Sequence, residues 1–258
     1  MTRWLKVAQP QYMTREALAS LLNELRSKGF NAGPAARITS SGMEVTWMPG
    51  RSIDSAFESF NLQFWNSCGV QLRRLHDLSQ ESVAVVNPLR VNAVELKKFD
   101  SCFGQRAAHL GLNIGAISTT EISLGNHSSV LHGDLSLGNI IGDGPGDFVG
   151  FIDWEYARRG PAIIDLANLF WQMLSARPSL EKYEDESINA LLSGYGYPNS
   201  FLHVGRLLVA TDFIVDRRIQ FLTDIKTSTP EAYARYRDTL ALAVEFQRSI
   251  RDDPSAVI

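Results

Sequence analysis

The stretch from Val130 to Trp171 reads VLHGDLSLGNIIGDGPGDFVGFIDWEYARRGPAIIDLANLFW and decides the fold. Its apolar runs are short, at 130–131, 140–141 and 148–152, and polar or glycine-rich turns separate them. This pattern predicts short strands that carry loops. The turn 142–147 is rich in glycine but contains two acids that would repel phosphate, so it predicts a hairpin turn rather than a phosphate-binding loop.

The same stretch contains a set of polar residues with informative spacing. His132, Asp134 and Asn139 form the pattern H-x-D-x-x-x-x-N, and Asp153 follows after two predicted strands. Phosphoryl transfer from a nucleotide needs a carboxylate to deprotonate the acceptor hydroxyl and oxygen ligands to hold Mg²⁺ against the phosphates. Asp134 and Asn139 share one tight loop, and the predicted hairpin returns Asp153 beside them. This arrangement is similar to that of protein kinases, where the loop Asp accepts the hydroxyl proton and the Asn and a later Asp bind Mg²⁺.

These motifs resemble those of the aminoglycoside phosphotransferase and choline kinase family, whose members are small-molecule relatives of protein kinases. The resemblance implies that Asp134 is the catalytic base and that Asn139 and Asp153 bind Mg²⁺. It also implies that His132 and Asp165 brace the catalytic loop. The matching segments are His132-Gly133-Asp134, Asn139, Ile152-Asp153-Trp154-Glu155, Gly160, Asp165-Leu166-Ala167 and, further upstream, Leu72-Arg73-Arg74-Leu75-His76.

The resemblance extends to the residues that would contact a nucleotide. The run 44–50 is similar to the strand and hinge between the two lobes of the family, which implies that backbone groups near Trp47 and Met48 meet the adenine. Lys6 resembles the strand lysine that contacts nucleotide phosphates, and Glu16 resembles its ion-pair partner. A strand lysine and a helix glutamate are also common on a solvated surface, so both interpretations stay open for this pair.

The predicted fold is therefore α+β, a protein-kinase-like two-lobed fold with a reduced N-terminal lobe. Residues 1–50 form this N-lobe, and residues 51–258 form a mainly helical C-lobe with the catalytic loop and metal site. In the N-lobe we expect a strand over 3–8, a helix capped by Thr14 and ended by Gly29, and a hairpin of two strands over 35–39 and 43–48.

The C-lobe shows helical periodicity on both sides of the catalytic segment. Apolar residues from Ile53 to Leu75 step by three and four, which predicts one helix ending near His76. Further helices are expected over 91–110, 163–176, 181–194, 200–225 and 230–250.

One feature departs from the family pattern. In the family, two strands joined by a phosphate-covering loop precede the lysine strand, whereas only five residues precede Lys6 in this sequence. Three alternatives follow: an enzyme without that loop, a non-catalytic pseudokinase-like binding protein, or a chain whose N-lobe is completed by upstream sequence or by a partner chain.

Composition excludes several other classes of protein. The 258 residues are 45% hydrophobic and 21% charged, with a net charge of −3, which argues against a nucleic-acid binder that relies on a strongly basic face. Cys68 and Cys102 lack the spacing of a zinc site and predict two buried free thiols. The most apolar stretch, 162–174, is shorter than the ~20 residues that span a membrane. We expect a cytoplasmic protein without nucleic-acid or membrane partners.

Taken together, the residues and the resemblance predict an enzyme of a defined reaction class. It would transfer the γ-phosphoryl group of ATP or GTP, with Mg²⁺, to a hydroxyl of a small molecule such as an aminoglycoside, choline or a related acceptor.

Overall fold

The computed structural model describes residues 3–7, 9–53, 61–78, 129–175, 186–197 and Leu207. Helices and three small antiparallel sheets make up this part of the chain, as the α+β prediction requires. The helices predicted over 91–110 and 230–250 lie outside the described residues, as do all but Leu207 of 200–225. In the described part, no helix combines the length and apolar character needed to cross a membrane.

The first sheet contains three antiparallel strands from the beginning of the chain. These are β1 (Trp4–Lys6), β2 (Ala36–Thr39) and β3 (Gly42–Thr46), in the order β1-β3-β2. Strands β2 and β3 form the predicted hairpin, and Thr39 pairs with Gly42 at its end. The positive φ of Gly42, 122°, suits the sharp turn that joins them.

Helix α1 (Arg15–Ser27) covers this sheet, and the sequence predicted both of its ends. The Thr14 hydroxyl accepts a hydrogen bond from the Ala17 amide at 3.2 Å, and Gly29 follows the last turn with a φ of 84°. Asn23 fastens the helix to β2, because its side chain both donates to and accepts from the backbone of Ala36 at 2.8 and 3.0 Å. The buried face consists of Leu18, Ala19, Leu21, Leu22 and Leu25.

The second sheet corrects the prediction of one helix beginning at Ile53. Strand β4 (Arg51–Ser52) pairs with β6 (Ile140–Gly142), which pairs with β7 (Phe148–Phe151). The backbone of Ile53 also bonds to Ile140, at 3.2 Å. This pairing with a distant segment outweighs the local helical periodicity, and helix α2 begins at Leu62.

Helix α2 (Leu62–Leu78) keeps the predicted apolar face and packs against helix α4 (Glu186–Tyr195). The buried face includes the free thiol of Cys68, as predicted, whereas Cys102 lies outside the described residues. Residues 186–194 confirm the described part of the helix predicted over 181–194.

The third sheet contains β5 (Ser129–Leu131) and β8 (Arg158–Gly160), and the sequence did not predict β8. Helix α3 (Ile163–Ser175) follows β8 and confirms the helix expected over 163–176. Asp165 lies in the first turn of α3 and is only 1% exposed. The segment between β5 and β6 therefore lies next to the buried start of α3.

Candidate active site

The loop between β5 and β6 brings Asp134 and Asn139 together. The Asn139 Nδ2 group donates to the backbone oxygen of Asp134 at 2.8 Å and approaches the Oδ2 atom of Asp134 at 3.4 Å. A carbonyl oxygen can only accept, so this contact fixes which end of the Asn139 amide carries the nitrogen. The Oδ1 atom of Asn139 is thus the end of the amide that can serve as a ligand.

Asp153 follows β7 in an unusual backbone conformation. Its φ of 62° and ψ of 64° place it in the left-handed region. Among the described residues, all others with positive φ are glycines. Asp tolerates this region better than most residues, and such strained positions cluster at functional sites. The backbone amide of Ile152 donates to the backbone oxygen of Asn139 at 2.9 Å, which ties the segment bearing Asp153 to the loop between β5 and β6.

The hairpin that returns Asp153 to the site has the turn predicted from the sequence. The Asp143 amide donates to the Asp147 oxygen at 3.0 Å, and the Asp147 amide donates to the Gly144 oxygen at 3.2 Å. These bonds close residues 143–147 into a turn between β6 and β7. The glycine-rich segment is therefore structural.

Acidic side chains give the site a negative character. Asp153 is open to solvent, but partial desolvation and the charge of Asp134 raise the pKa of its carboxyl group. His132 acts in the opposite direction and lowers that pKa. Desolvation and the charges of Asp153 and Asp134 likewise raise the pKa of Glu155. Carboxylates that repel one another in this way favour a bound cation.

The donor set fits a cation that shares its coordination with another molecule. Asn139 offers an amide oxygen and Asp153 a carboxylate, and oxygen is the donor that Mg²⁺ prefers. In the described ranges, no three His, Cys, Asp or Glu side chains form a group that could hold a metal ion. The residues therefore suit Mg²⁺ bound by one or two protein ligands together with phosphate oxygens and water, rather than a closed protein cage.

Asp165 holds the backbone at the start of the loop between β5 and β6. Its Oδ2 atom accepts the His132 amide at 2.7 Å, and its Oδ1 atom accepts the Gly133 amide at 3.0 Å. Burial would raise the pKa of Asp165, but the hydrogen bond and charge of His76, together with His132 and the Gly133 amide, hold that pKa below its usual range. The carboxylate is thus ionised and supports the loop through these two hydrogen bonds.

The side chain of His132 fills the space between the loop and β7. Its Nε2 group donates to the Ile152 oxygen at 2.7 Å, and its ring lies 4.7 Å from the ring of Trp154. Burial lowers the pKa of His132, against the opposing charge of Asp165, so the ring is neutral at pH 7. His132 therefore links the loop between β5 and β6 to the segment that leads into Asp153.

Removing the charge of Asp165 is expected to destabilise the fold. Asp165→Asn would turn an amide nitrogen toward a backbone N–H, with a cost of about 3–5 kcal/mol, typical of a broken buried pair. Because the folded pKa of Asp165 is depressed, its contribution is present above the unfolded pKa of about 3.9 and is lost as pH falls through the lower folded value.

Urea unfolding at a series of pH values measures this effect. The difference in unfolding free energy between the wild type and Asp165→Asn should be constant near neutrality and shrink below about pH 4. A difference that persists unchanged through the acid range would show that the Asp165 charge contributes nothing to the fold.

The structure does not bring Lys6 and Glu16 together. Both side chains are exposed, and no ion pair joins them in the part of the chain that the structure describes. Lys6 lies opposite Glu44 in the register of β1 and β3. The roles of Lys6 and Glu16 toward a nucleotide stay predictions.

Trp47 and Met48 lie where the chain leaves the first sheet. Trp47 is 45% exposed, and the Arg3 guanidinium lies 4.9 Å from the centre of its ring. Met48 is half-buried against β7, where its Cε atom would lie 2.2 Å from a Cβ added at Gly150. The segment therefore reaches from the first sheet to the second, and its contact with adenine stays a prediction.

The sequence did not indicate how His76 and Tyr195 contribute to this region. Both are buried, and His76 approaches the Asp165 carboxylate at 3.3 Å. The motif ending in His76 marked the end of α2, but its spacing carried no information about a partner in α3 or α4.

Known proteins resemble this chain in sequence and in fold. Residues 5–199 match the model of the APH family, described as a phosphotransferase enzyme family. No curated protein matches. An aminoglycoside phosphotransferase from Alicyclobacillus acidocaldarius superposes with a TM-score of 0.60 at 14% identity, covering 94% of this chain and 85% of that one.

Two other solved structures share the fold. A choline/ethanolamine kinase family protein from Mesorhizobium loti has a TM-score of 0.57 at 15% identity, covering 96% of this chain and 92% of its own. The amicoumacin kinase hAmiN, solved with AMP-PNP, Ca²⁺ and Ami, has a TM-score of 0.57 at 16% identity, covering 97% and 88%. The predicted protein-kinase-like α+β fold is thereby confirmed. With the match over residues 5–199, the chain belongs to the APH family of phosphotransferase enzymes.

Proposed function

We propose that this chain transfers the γ-phosphoryl group of ATP or GTP, with Mg²⁺, to a hydroxyl of a small molecule such as an aminoglycoside or an amino alcohol. One observation carries the proposal. The Asn139 side-chain amide bonds to the backbone of Asp134 at 2.8 Å while the Asn139 backbone oxygen accepts the Ile152 amide at 2.9 Å, so Asp134, Asn139 and the segment that leads into Asp153 lie on adjoining loops.

Asp134 would act as the general base. Its carboxylate accepts the proton of the acceptor hydroxyl as the new P–O bond forms and the bond to the β-phosphate breaks. The Asn139 Nδ2 group lies 3.4 Å from the Oδ2 atom of this carboxylate and favours one orientation of it. Because the transition state is loose, positioning of this kind supplies most of the protein's contribution.

The proposed co-substrate is a nucleotide complexed with a divalent cation. Asn139 and Asp153 would hold Mg²⁺, which supplies neutralising charge to the phosphates when bound. The complex of the amicoumacin kinase with AMP-PNP and Ca²⁺ supports a nucleotide and a cation on this fold. Lys6, Trp47 and Met48 are the proposed nucleotide contacts, with Glu16 as the partner of Lys6, and the cytoplasm is the proposed location because it supplies ATP, GTP and Mg²⁺.

A transfer assay tests the proposed reaction. The full chain would be incubated with ATP or GTP and Mg²⁺ in the presence of aminoglycosides, choline and ethanolamine, and each acceptor would be weighed by mass spectrometry. We expect one class of acceptor to gain a phosphoryl group, and the gain to require Mg²⁺. Tight nucleotide binding without transfer to any acceptor in a widened panel would favour a pseudokinase-like binding protein instead.

Replacing Asp153 tests the metal site separately. Asp153→Asn is the appropriate change, because Asn also tolerates the left-handed backbone and removes only the charge. We expect it to weaken binding of Mg²⁺–ATP by about tenfold or more and to leave metal-free ATP binding nearly unchanged. Calorimetric titrations with Mg²⁺ and with EDTA provide the comparison. Equal losses under both conditions would assign Asp153 a structural role.

A further inference from the structure

A buried chain of hydrogen bonds links helix α4 to the catalytic loop. The Tyr195 hydroxyl lies 2.8 Å from His76 Nδ1, and His76 Nε2 lies 3.3 Å from Asp165 Oδ2. The same Oδ2 atom accepts the His132 amide at 2.7 Å. Tyr195 is 5% exposed, and His76 and Asp165 are each 1% exposed, so water does not compete for these bonds.

The chemistry of Asp165 fixes the direction of its bond with His76. Asp165 is ionised and already accepts two backbone amides, so it can only accept from His76, and the His76 proton lies on Nε2. The other ring nitrogen, Nδ1, is hydrogen-bonded to the Tyr195 hydroxyl at 2.8 Å. Tyr195 therefore sets the orientation of the imidazole that supports Asp165.

The packing of α2 against α4 holds the two ends of this chain at a fixed distance. A Cβ added at Gly69 would lie 2.1 Å from the Leu191 oxygen, and one added at Gly194 would lie 2.0 Å from the Asn66 oxygen. The two helix backbones are thus in direct contact. On α2 the contact lies one turn or more before His76, and on α4 it lies next to Tyr195. Helix α4 cannot move away from α2 without breaking this contact.

We propose that Tyr195 and His76 are positioning residues of the phosphotransfer site. They act through Asp165 on the amides of His132 and Gly133, and so set the place of Asp134 in the next position of the chain. The consequence for catalysis rests on the proposed function, whereas the effect on the loop backbone does not.

Removing one hydroxyl tests the proposal with little change of shape. Tyr195→Phe keeps the ring, including its contact with the Arg73 guanidinium at 5.6 Å, but removes the hydroxyl that bonds to His76 Nδ1. Asn66→Ala is the matched control. It removes another hydrogen bond between α2 and α4, from Asn66 to the Ala190 oxygen at 3.4 Å, without touching His76.

Amide hydrogen exchange of the full chain gives the decisive readout, because it needs neither acceptor nor activity. Tyr195→Phe should speed exchange of the His132 and Gly133 amides by about tenfold, the scale of one lost buried hydrogen bond, and Asn66→Ala should not. His76→Gln, which can still donate to Asp165, should retain more protection than His76→Leu. The proposal would be overturned if exchange of the His132 and Gly133 amides were unchanged in Tyr195→Phe, or if exchange increased equally at all amides.

Kinetics give the second readout. Once an acceptor is known, Tyr195→Phe should lower kcat by about tenfold with little change in KM for the nucleotide, since misplacement of the base affects the chemical step. A change confined to KM would contradict the positioning role. If the wild type transfers no phosphate, the proposed function fails, and the exchange experiment still decides whether Tyr195 and His76 position the loop.

Discussion

Asp134→Asn is expected to lower the rate of phosphoryl transfer by about 10²–10⁴-fold, the range typical of a lost general base. The amide has nearly the shape of the carboxylate but cannot accept the proton of the acceptor hydroxyl. The loop should keep its structure, because Asn139 bonds to the backbone oxygen of Asp134, at 2.8 Å, and that atom is unchanged. The measurement is kcat at saturating Mg²⁺–nucleotide and acceptor.

The control for Asp134→Asn is Asp143→Asn. Asp143 is an exposed acid on the turn between β6 and β7, so this variant loses the same charge outside the site. It should retain wild-type turnover and the same unfolding midpoint. Full turnover by Asp134→Asn would remove Asp134 from the mechanism, whereas equal losses in both variants would point to a general effect of charge.

Gly133→Ala is the second change with a large expected effect. Gly133 has a φ of 85°, and an added Cβ would lie 2.0 Å from the backbone oxygen of Tyr156. The left-handed backbone costs a side chain about 1–2 kcal/mol and overpacking about 1–3 kcal/mol more. Because Gly133 precedes Asp134, a shift of the loop by about 1 Å should also lower kcat by about 10²-fold.

Gly196→Ala separates the two costs of Gly133→Ala. Gly196 also has positive φ, 69°, but an added Cβ would meet nothing within 4 Å. This variant should therefore lose only the stability that belongs to the backbone conformation and should keep its activity. Denaturant unfolding and kcat of the two variants provide the comparison. If both lose the same stability and activity, the close approach of Tyr156 has no effect.

Local patterns in the sequence predicted the elements whose signals are themselves local. The cap at Thr14, the apolar face of α1 and the hairpin of β2 and β3 depend on residues within a few positions of one another. The same kind of pattern did not predict strands β4 and β8. Each is held by pairing with a distant segment, Arg51–Ser52 with β6 and Arg158–Gly160 with β5, and such short strands carry no periodicity.

The same distinction applies to the site. Asp134 and Asn139 are five positions apart, so their spacing already predicts that they share one loop. His76 meets Asp165 across 89 positions and Tyr195 across 119, distances at which spacing carries no information. The left-handed conformation of Asp153 also had no local signal, because the position is occupied neither by glycine, which adopts this conformation most readily, nor by asparagine.

The most direct test of the proposed metal–nucleotide site uses Mn²⁺ in place of Mg²⁺ and needs no acceptor. Mn²⁺ is paramagnetic and broadens NMR signals of nuclei near it. With ATP or GTP present, Mn²⁺ should broaden the Asn139 side-chain amide signals and the phosphorus signals of the nucleotide together, and Asp153→Asn should weaken both effects. Sharp Asn139 signals in the presence of bound Mn²⁺–nucleotide would place the metal elsewhere and contradict the proposed site.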